Sequence, residues 1–364
     1  MRILVFADGL SWHTERYIRE LRAQGCSVTA ASFDASQTID VCLKRSVFGE
    51  FASYALLAPQ IQALIEAEKP DVVNSHFASA YGFAAARCRN RSGGGDALRA
   101  LTVWGSDILV SPRRSPLHRL RVRYALNGAD IIIADSTHLK EATGAYTDRP
   151  VSVIPWGIER RLVISDDELQ RKSHWPEKGP LRVIAPRPHR KVYRNEIILK
   201  ALTPALRSGQ ARLTVSSQGA GAEAFRARVT DARLNESVTF YDSLQRDDFI
   251  RLLGEHHVCA SAAESDSSPV SMIEALALGV APVMADHPGL YDFINPRQSA
   301  FSLFDPDTPE TFLTAVESLA ALSRSAREDI LRINRDRALE QGVYEENLGR
   351  TIGLFEERLS RRRN

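Results

Sequence analysis

The chain has 364 residues, 44% of them apolar, a formal net charge of +2 and four cysteines. This length suits two domains with full cores, and a charge so near neutral removes the bulk electrostatic case for nucleic acid. Cys26, Cys42, Cys88 and Cys259 lack metal-ligand spacing and read as reduced thiols. No apolar run reaches the roughly 20 residues that a membrane-spanning helix needs.

The opening Met-Arg-Ile-Leu-Val-Phe-Ala-Asp is strand-like and too short for a signal peptide. A cytoplasmic chain is expected, soluble or peripheral to the inner face of a membrane. Short β-branched runs alternate with helical patterns, the mark of α/β architecture with parallel sheets. The first half offers strands at Arg2–Ala7, Ser27–Phe33, Val72–His76, Ala100–Trp104, Ile131–Asp135 and Val151–Pro155. The second half repeats the scheme at Leu181–Pro186, Arg212–Ser216, Val238–Tyr241, Val258–Ser261, Ala281–Ala285 and Ala300–Phe304. Arg91-Ser-Gly-Gly-Gly-Asp96 reads as a surface loop. From Trp156 to Lys178 the chain is polar and irregular. This predicts a first domain over 1–160, a linker over 161–178, a second domain over 179–340 and a final amphipathic helix within 341–364.

Candidate site residues fall where strands end, because ligands of doubly wound sheets bind beyond the carboxyl ends. Asp8-Gly9-Leu-Ser-Trp-His13-Thr14 follows the first strand, and Gly9 would let the backbone come close to a ligand. No Gly-x-Gly-x-x-Gly accompanies it, which counts against a dinucleotide enzyme. His76 closes another strand and is more readily a satisfied core histidine than a catalytic one. Trp104-Gly-Ser-Asp107 follows a third; Trp104 could wall a sugar ring, and Asp107 could accept from hydroxyls or cap a helix. From Ser111 to Tyr124 lie Arg113, Arg114, Arg119, Arg121 and Arg123, with no acid between Ile108 and Ala129. This stretch is either a solvated face or a basic amphipathic face for an anionic membrane surface. Arg187, Arg190, Lys191 and Arg194 put four cations in eight residues at a strand end, a ready phosphate clamp. Gln218-Gly219-Ala-Gly221 and Asp242-Ser-Leu244 are weaker loop signals.

The richest segment runs from Asp266 through Ser267, Ser268, Pro269, Val270, Ser271 and Glu274 to Asp286. Ser267 or Ser268 is expected to cap a helix with Pro269 in its first turn, Gly279 to close it and a buried strand to follow. The helix is apolar nearly all round and so interior, which makes Glu274 costly unless a ligand or a fixed partner meets it. The N–H groups of Val270 and Ser271 could face a phosphate, with Glu274 accepting from sugar hydroxyls; a core helix whose Glu pairs with an Arg is the equal alternative.

Asp266 and Glu274 stand eight residues apart, and Glu-Ala-Leu-Ala-Leu-Gly follows. This resembles the signature of the retaining family-4 glycosyltransferases, with Asp in place of the usual first Glu and Ser-Ser-Pro in place of Gly-Phe-Gly. Trp104-Gly-Ser-Asp107 is similar to that family's His-Gly-x-Asp with the His replaced. The resemblance implies a GT-B fold, two Rossmann-like doubly wound domains facing across a cleft, the first binding the acceptor and the second a nucleotide sugar, with the last helix packing back on the first. It implies catalytic roles for Asp266, Glu274 and Asp107. Arg187, Lys191, Arg194, Gly219, Ser268, Val270, Ser271 and Glu274 would bind the donor, and Gly9, His13 and Trp104 would line the acceptor side. It further implies a UDP- or GDP-sugar donor, a glycan or lipid-linked acceptor, retention of configuration, and neither metal nor other cofactor. A GT-B nucleotide-sugar epimerase and a non-catalytic sugar-binding homologue are the rival expectations.

Overall fold

The computed structural model describes residues 1–88, 91–92, 95–175, 179–294 and 303–363. The chain forms two compact units, Met1–Pro155 with Glu345–Asn364, and Trp156–Tyr344.

The first unit is built on β1 (Arg2–Phe6), β2 (Ser27–Ser32), β3 (Val41–Cys42), β4 (Val72–His76), β7 (Leu98–Thr102), β8 (Ile131–Ala134) and β9 (Val151–Val153). They form one parallel sheet in the order β3-β2-β1-β4-β7-β8-β9. Ile3, Leu4, Val5 and Phe6 are all buried, as both-face coverage of a parallel sheet requires. The stretch expected to be a surface loop contributes β5 (Arg91–Ser92) and β6 (Gly95–Asp96), an antiparallel pair; residues 93–94 lie outside the described residues. The helix Tyr344–Arg363 adds Leu348 and Phe355 to the core of this unit. Arg362 fastens it to Asp130 at 2.6 Å, and the Asn347 side-chain amide donates to the Pro155 carbonyl at 3.0 Å.

The second unit carries β10 (Leu181–Ala185), β11 (Ala211–Ser216), β12 (Val238–Tyr241), β13 (Val258–Ser261), β14 (Ala281–Ala285) and β15 (Leu303–Phe304), ordered β12-β11-β10-β13-β14-β15 and wholly parallel. Of the strand expected at Ala300–Phe304, residues 300–302 lie outside the described residues. In each unit the order reverses at the first strand, so the loops after β1 and β4, and after β10 and β13, diverge and open a crevice.

The expected linker differs from what is observed. Residues 166–172 form a helix with a full capping box between Ser165 and Glu168, and its Leu169 is buried in the core of the second unit. The Ile164 N–H donates to the Ala277 carbonyl at 3.1 Å. Trp175 joins the same core and Arg335 pairs with Asp166 at 2.7 Å, so tertiary contacts order a stretch with little apolar periodicity. Among the described residues no helix is long and apolar enough to cross a membrane.

Candidate functional site

The second unit gathers its candidate residues at the carboxyl ends of β10, β11 and β13. Arg187 follows β10 and pairs with Asp266 of the loop after β13, both side chains being 19% exposed. Its guanidinium lies over the Tyr193 ring at 4.3 Å. Burial opposes the charge on Arg187, and Asp266 with Tyr193 outweighs it and holds the group above its ordinary range.

His189 ties this loop to the next one. Its N–H donates to the Gln218 carbonyl at 2.7 Å, its carbonyl accepts from Gly221 at 2.8 Å, and its Nε2 meets the Ser216 carbonyl at 2.7 Å. A carbonyl only accepts, so Nε2 carries the proton, and burial lowers the ring's affinity for a second one. Gly219 sits at φ +104, where an added Cβ would fall 2.6 Å from the His189 backbone. Its small size, expected to admit a nucleotide, serves this loop contact. Arg194, in the left-handed region at φ 44, donates from Nε to the Ala262 carbonyl at 3.0 Å. Arg190 and Lys191 are exposed.

The helix of the signature segment spans Val270–Ala277. Pro269 occupies the N-cap position rather than the first turn, and no side chain caps the helix, so the expected serine cap is corrected. Pro269 fixes its own φ near the value a helix start needs, and supplies no oxygen to the free N–H groups of the first turn. Ser267 and Ser268 are buried just before it. Val270 and Ser271 have no carbonyl one turn earlier in the helix to bond. Gly279 at φ +64 closes the helix as expected, with Val280 N–H bonding the Ala275 carbonyl at 2.9 Å.

Glu274 is 2% exposed and meets Arg246 at 2.5 Å; Arg246 also reaches Glu159 at 3.0 Å. The fixed partner is therefore present. Burial alone would lower Arg246, but Glu274 and Glu159 raise it. Sequence reasoning missed Arg246, which is 28 positions from Glu274 with no shared pattern. It also missed His189, Tyr193 and Gly289, whose added Cβ would lie 2.3 Å from the Asp266 carbonyl.

The first unit holds a different arrangement. Asp107 accepts from the backbone N–H groups of Ala78 at 2.7 Å and Trp104 at 2.9 Å. It is 2% exposed and braces the loops after β4 and β7. Burial pushes it up to about 6, and those backbone bonds hold it from rising further. Trp104 stacks on Phe77 at 5.3 Å between centroids and meets His13 edge-on at 5.5 Å. Phe77 takes φ +65, backbone strain of the kind that collects at functional sites. His76 is fully buried with Nε2 3.1 Å from Asn74 Oδ1, and burial lowers it to about 3, so it is a neutral core group. Gly9 needs its missing side chain because a Cβ would lie 2.2 Å from the Asp34 carbonyl, so the close approach is to its own chain.

An Asp-x-Asp spacing occurs at Asp305 and Asp307, but Asp305 accepts from Asp307 N–H and Thr308 Oγ1 to shape a turn. Among the described residues no cluster of three or more His, Cys, Asp or Glu could hold a metal ion.

Two family models match this chain. The one described as Glycosyl transferase 4-like covers residues 2–136, and the one described as Glycosyl transferases group 1 covers residues 184–321. The first half thus matches a glycosyltransferase 4-like domain and the second a group 1 glycosyltransferase domain, which makes the chain a glycosyltransferase. Its α/β fold of two parallel sheets is GT-B, shared with sucrose-phosphate synthase from Thermosynechococcus elongatus at TM-score 0.81 and 13% identity, covering 99% of both chains. A glycosyltransferase from Rickettsia africae superposes at TM-score 0.74 with 16% identity over 98% of both chains. The Anabaena protein Alr3699/HepE, solved with UDP and glucose, superposes at 0.75 with 15% identity over 98% of this glycosyltransferase and 100% of its own chain. No curated protein matches it by sequence.

Proposed function

We propose that this glycosyltransferase moves a sugar from a UDP- or GDP-sugar to a glycan or lipid-linked acceptor, with retention and without a metal, in polysaccharide or envelope glycan synthesis at the inner face of a membrane. One observation carries the donor half. Arg187, Arg194 and the Val270–Ala277 helix start converge at the carboxyl ends of β10 and β13, with Glu274 in that same helix. Cations and oriented N–H groups act where negative charge grows on a departing diphosphate. Lys191, Ser268, Val270 and Ser271 complete the diphosphate contacts. Glu274 takes ribose or sugar hydroxyls, held in orientation by Arg246. Asp266 holds Arg187 until a phosphate shares it. On the acceptor side Gly9, His13 and Trp104 line the loops, braced by Asp107. In front-face displacement the leaving phosphate oxygen takes the acceptor proton, so no side-chain nucleophile is required. The UDP bound in Alr3699/HepE favours uridine as the base.

The test is a thermal-shift screen of UDP, GDP and uridine. UDP is expected to raise the transition and uridine hardly to do so. In Arg187→Ala, loss of a charge-assisted bond of about 1.5–3 kcal/mol weakens UDP binding roughly tenfold or more. Equal weakening of uridine would refute the phosphate assignment. A chelator should leave turnover unchanged; loss restored by magnesium would overturn the metal-free mechanism.

A further inference from the structure

We propose that the face of the first unit made by Val47, Phe48, Phe51, Leu117, Leu120 and Tyr124 docks on an anionic lipid surface. The inference rests on the membrane setting proposed above and deepens it by naming the surface. Val47 and Phe48 are 92% and 81% exposed, beside Gly49 at φ +93. They lead into the short helix Glu50–Ala55. Phe51 of that helix lies under the Arg121 guanidinium at 4.2 Å and edge-on to His118 at 5.6 Å. Arg121 is buried and also stands 4.5 Å over Phe83, so the exposed tip is fastened to the helix Pro116–Asn127.

That helix turns a particular arc outward. Leu117, Leu120 and Tyr124 are spaced three and four apart and make one exposed apolar stripe. Arg119 and Arg123, four apart, run along its flank, and Arg113 and Arg114 precede it, all exposed. Among the described residues none of these four arginines makes an ion pair, and no acid occurs from Ile108 to Ala129. Glu50 is the acid of the neighbouring segment. Isolated apolar tips interleaved with unpaired cations suit an interface where side chains enter the acyl boundary and guanidinium groups stay with phosphates. A protein interface would instead gather its apolar groups into a charge-depleted centre.

The test is sedimentation of the full chain with phosphatidylcholine vesicles, with and without phosphatidylglycerol. Binding is expected only to the anionic vesicles and only at low salt, since the Debye length falls from about 10 Å at 0.1 M to about 3 Å at 1 M. Phe48→Ser should lower partitioning about tenfold. Arg119→Ser with Arg123→Ser should lower it about thirtyfold. Both variants should keep the UDP thermal shift, so a missing shift in the parent chain would count against the donor reading and not against this surface. Absence of anionic-vesicle binding, or unchanged binding by both variants, overturns the proposal. So does a dimer that Phe48→Ser dissolves while vesicles are ignored, which would mark the face as a protein interface.

Discussion

Glu274 is a carboxylate in an apolar helix, so its free energy depends on Arg246. Removing one partner of a buried pair costs about 3–5 kcal/mol, whereas removing both leaves no charge at position 274, although Glu159 still loses Arg246. Arg246→Met should therefore destabilise the second unit by that order, and Arg246→Met with Glu274→Gln by less than the sum of the singles, as urea unfolding would show. Additive losses would mean that the pair is not coupled. The first unit holds a second balance. His76 is lowered to about 3, so between that pH and its ordinary value near 6.5 the unfolded chain binds the extra proton and stability falls as pH falls. Asp107 is raised from 3.8 to about 6, so across that window the folded chain holds the proton and its contribution is lost as pH rises. The two slopes, each about 1.4 kcal/mol per pH unit, oppose one another where the windows overlap. Asp107→Asn should be less stable, with one backbone N–H left without an acceptor. Its first unit should also lose stability more steeply than the parent's from pH 6 to 4. The same pH dependence of the first unit in parent and variant would count against this pairing. Residue partners of this sort were the least legible part of the sequence. Glu274 advertised a need for a partner, but the partner's identity comes from tertiary packing alone.

At the scale of elements, local chemistry was legible wherever it acts over a few residues. Val258–Ser261 and Ala281–Ala285 are short, mostly apolar runs next to turn residues and read as buried strands, and Gly279 closes its helix. The edge strand Val41–Cys42 has two residues and no period to read. The helix 166–172 was hidden because only Leu169 faces the core, although Ser165 and Glu168 form a capping pair visible in the sequence. Spacing exposed the Asp266–Glu274 segment for the same reason: one loop and one turn of helix fix both ends. It could not show that the loops after β10 and β11 are clipped together through His189. That clip gives Gly219 its task. Gly219→Ala would place a methyl 2.6 Å from the His189 backbone at an unfavourable φ, so both loops must shift. UDP affinity should drop with Arg187 intact, measured by calorimetry. Unchanged affinity would show that the clip does not position the phosphate contacts.

At the scale of the molecule, the chain leaves the first unit after Pro155 and returns at Glu345, so its last helix completes a core begun by its first strand. The parallel α/β build of both units was readable in the alternation of strands and helices, whereas the return rested on resemblance, since an amphipathic helix does not say which core it joins. Deleting residues 345–364 removes Leu348 and Phe355 from the first unit, together with the Arg362–Asp130 pair. Loss of Phe355 alone is worth about 3–5 kcal/mol. The second unit keeps every residue proposed for the donor. Calorimetry of the truncated chain should therefore show an early transition for the first unit and a later one that UDP still raises, by about 2.7 kcal/mol at a hundredfold excess over Kd. A single transition insensitive to UDP would mean that the nucleotide site depends on the returning helix, and the assignment of donor binding to the second unit alone would have to be given up.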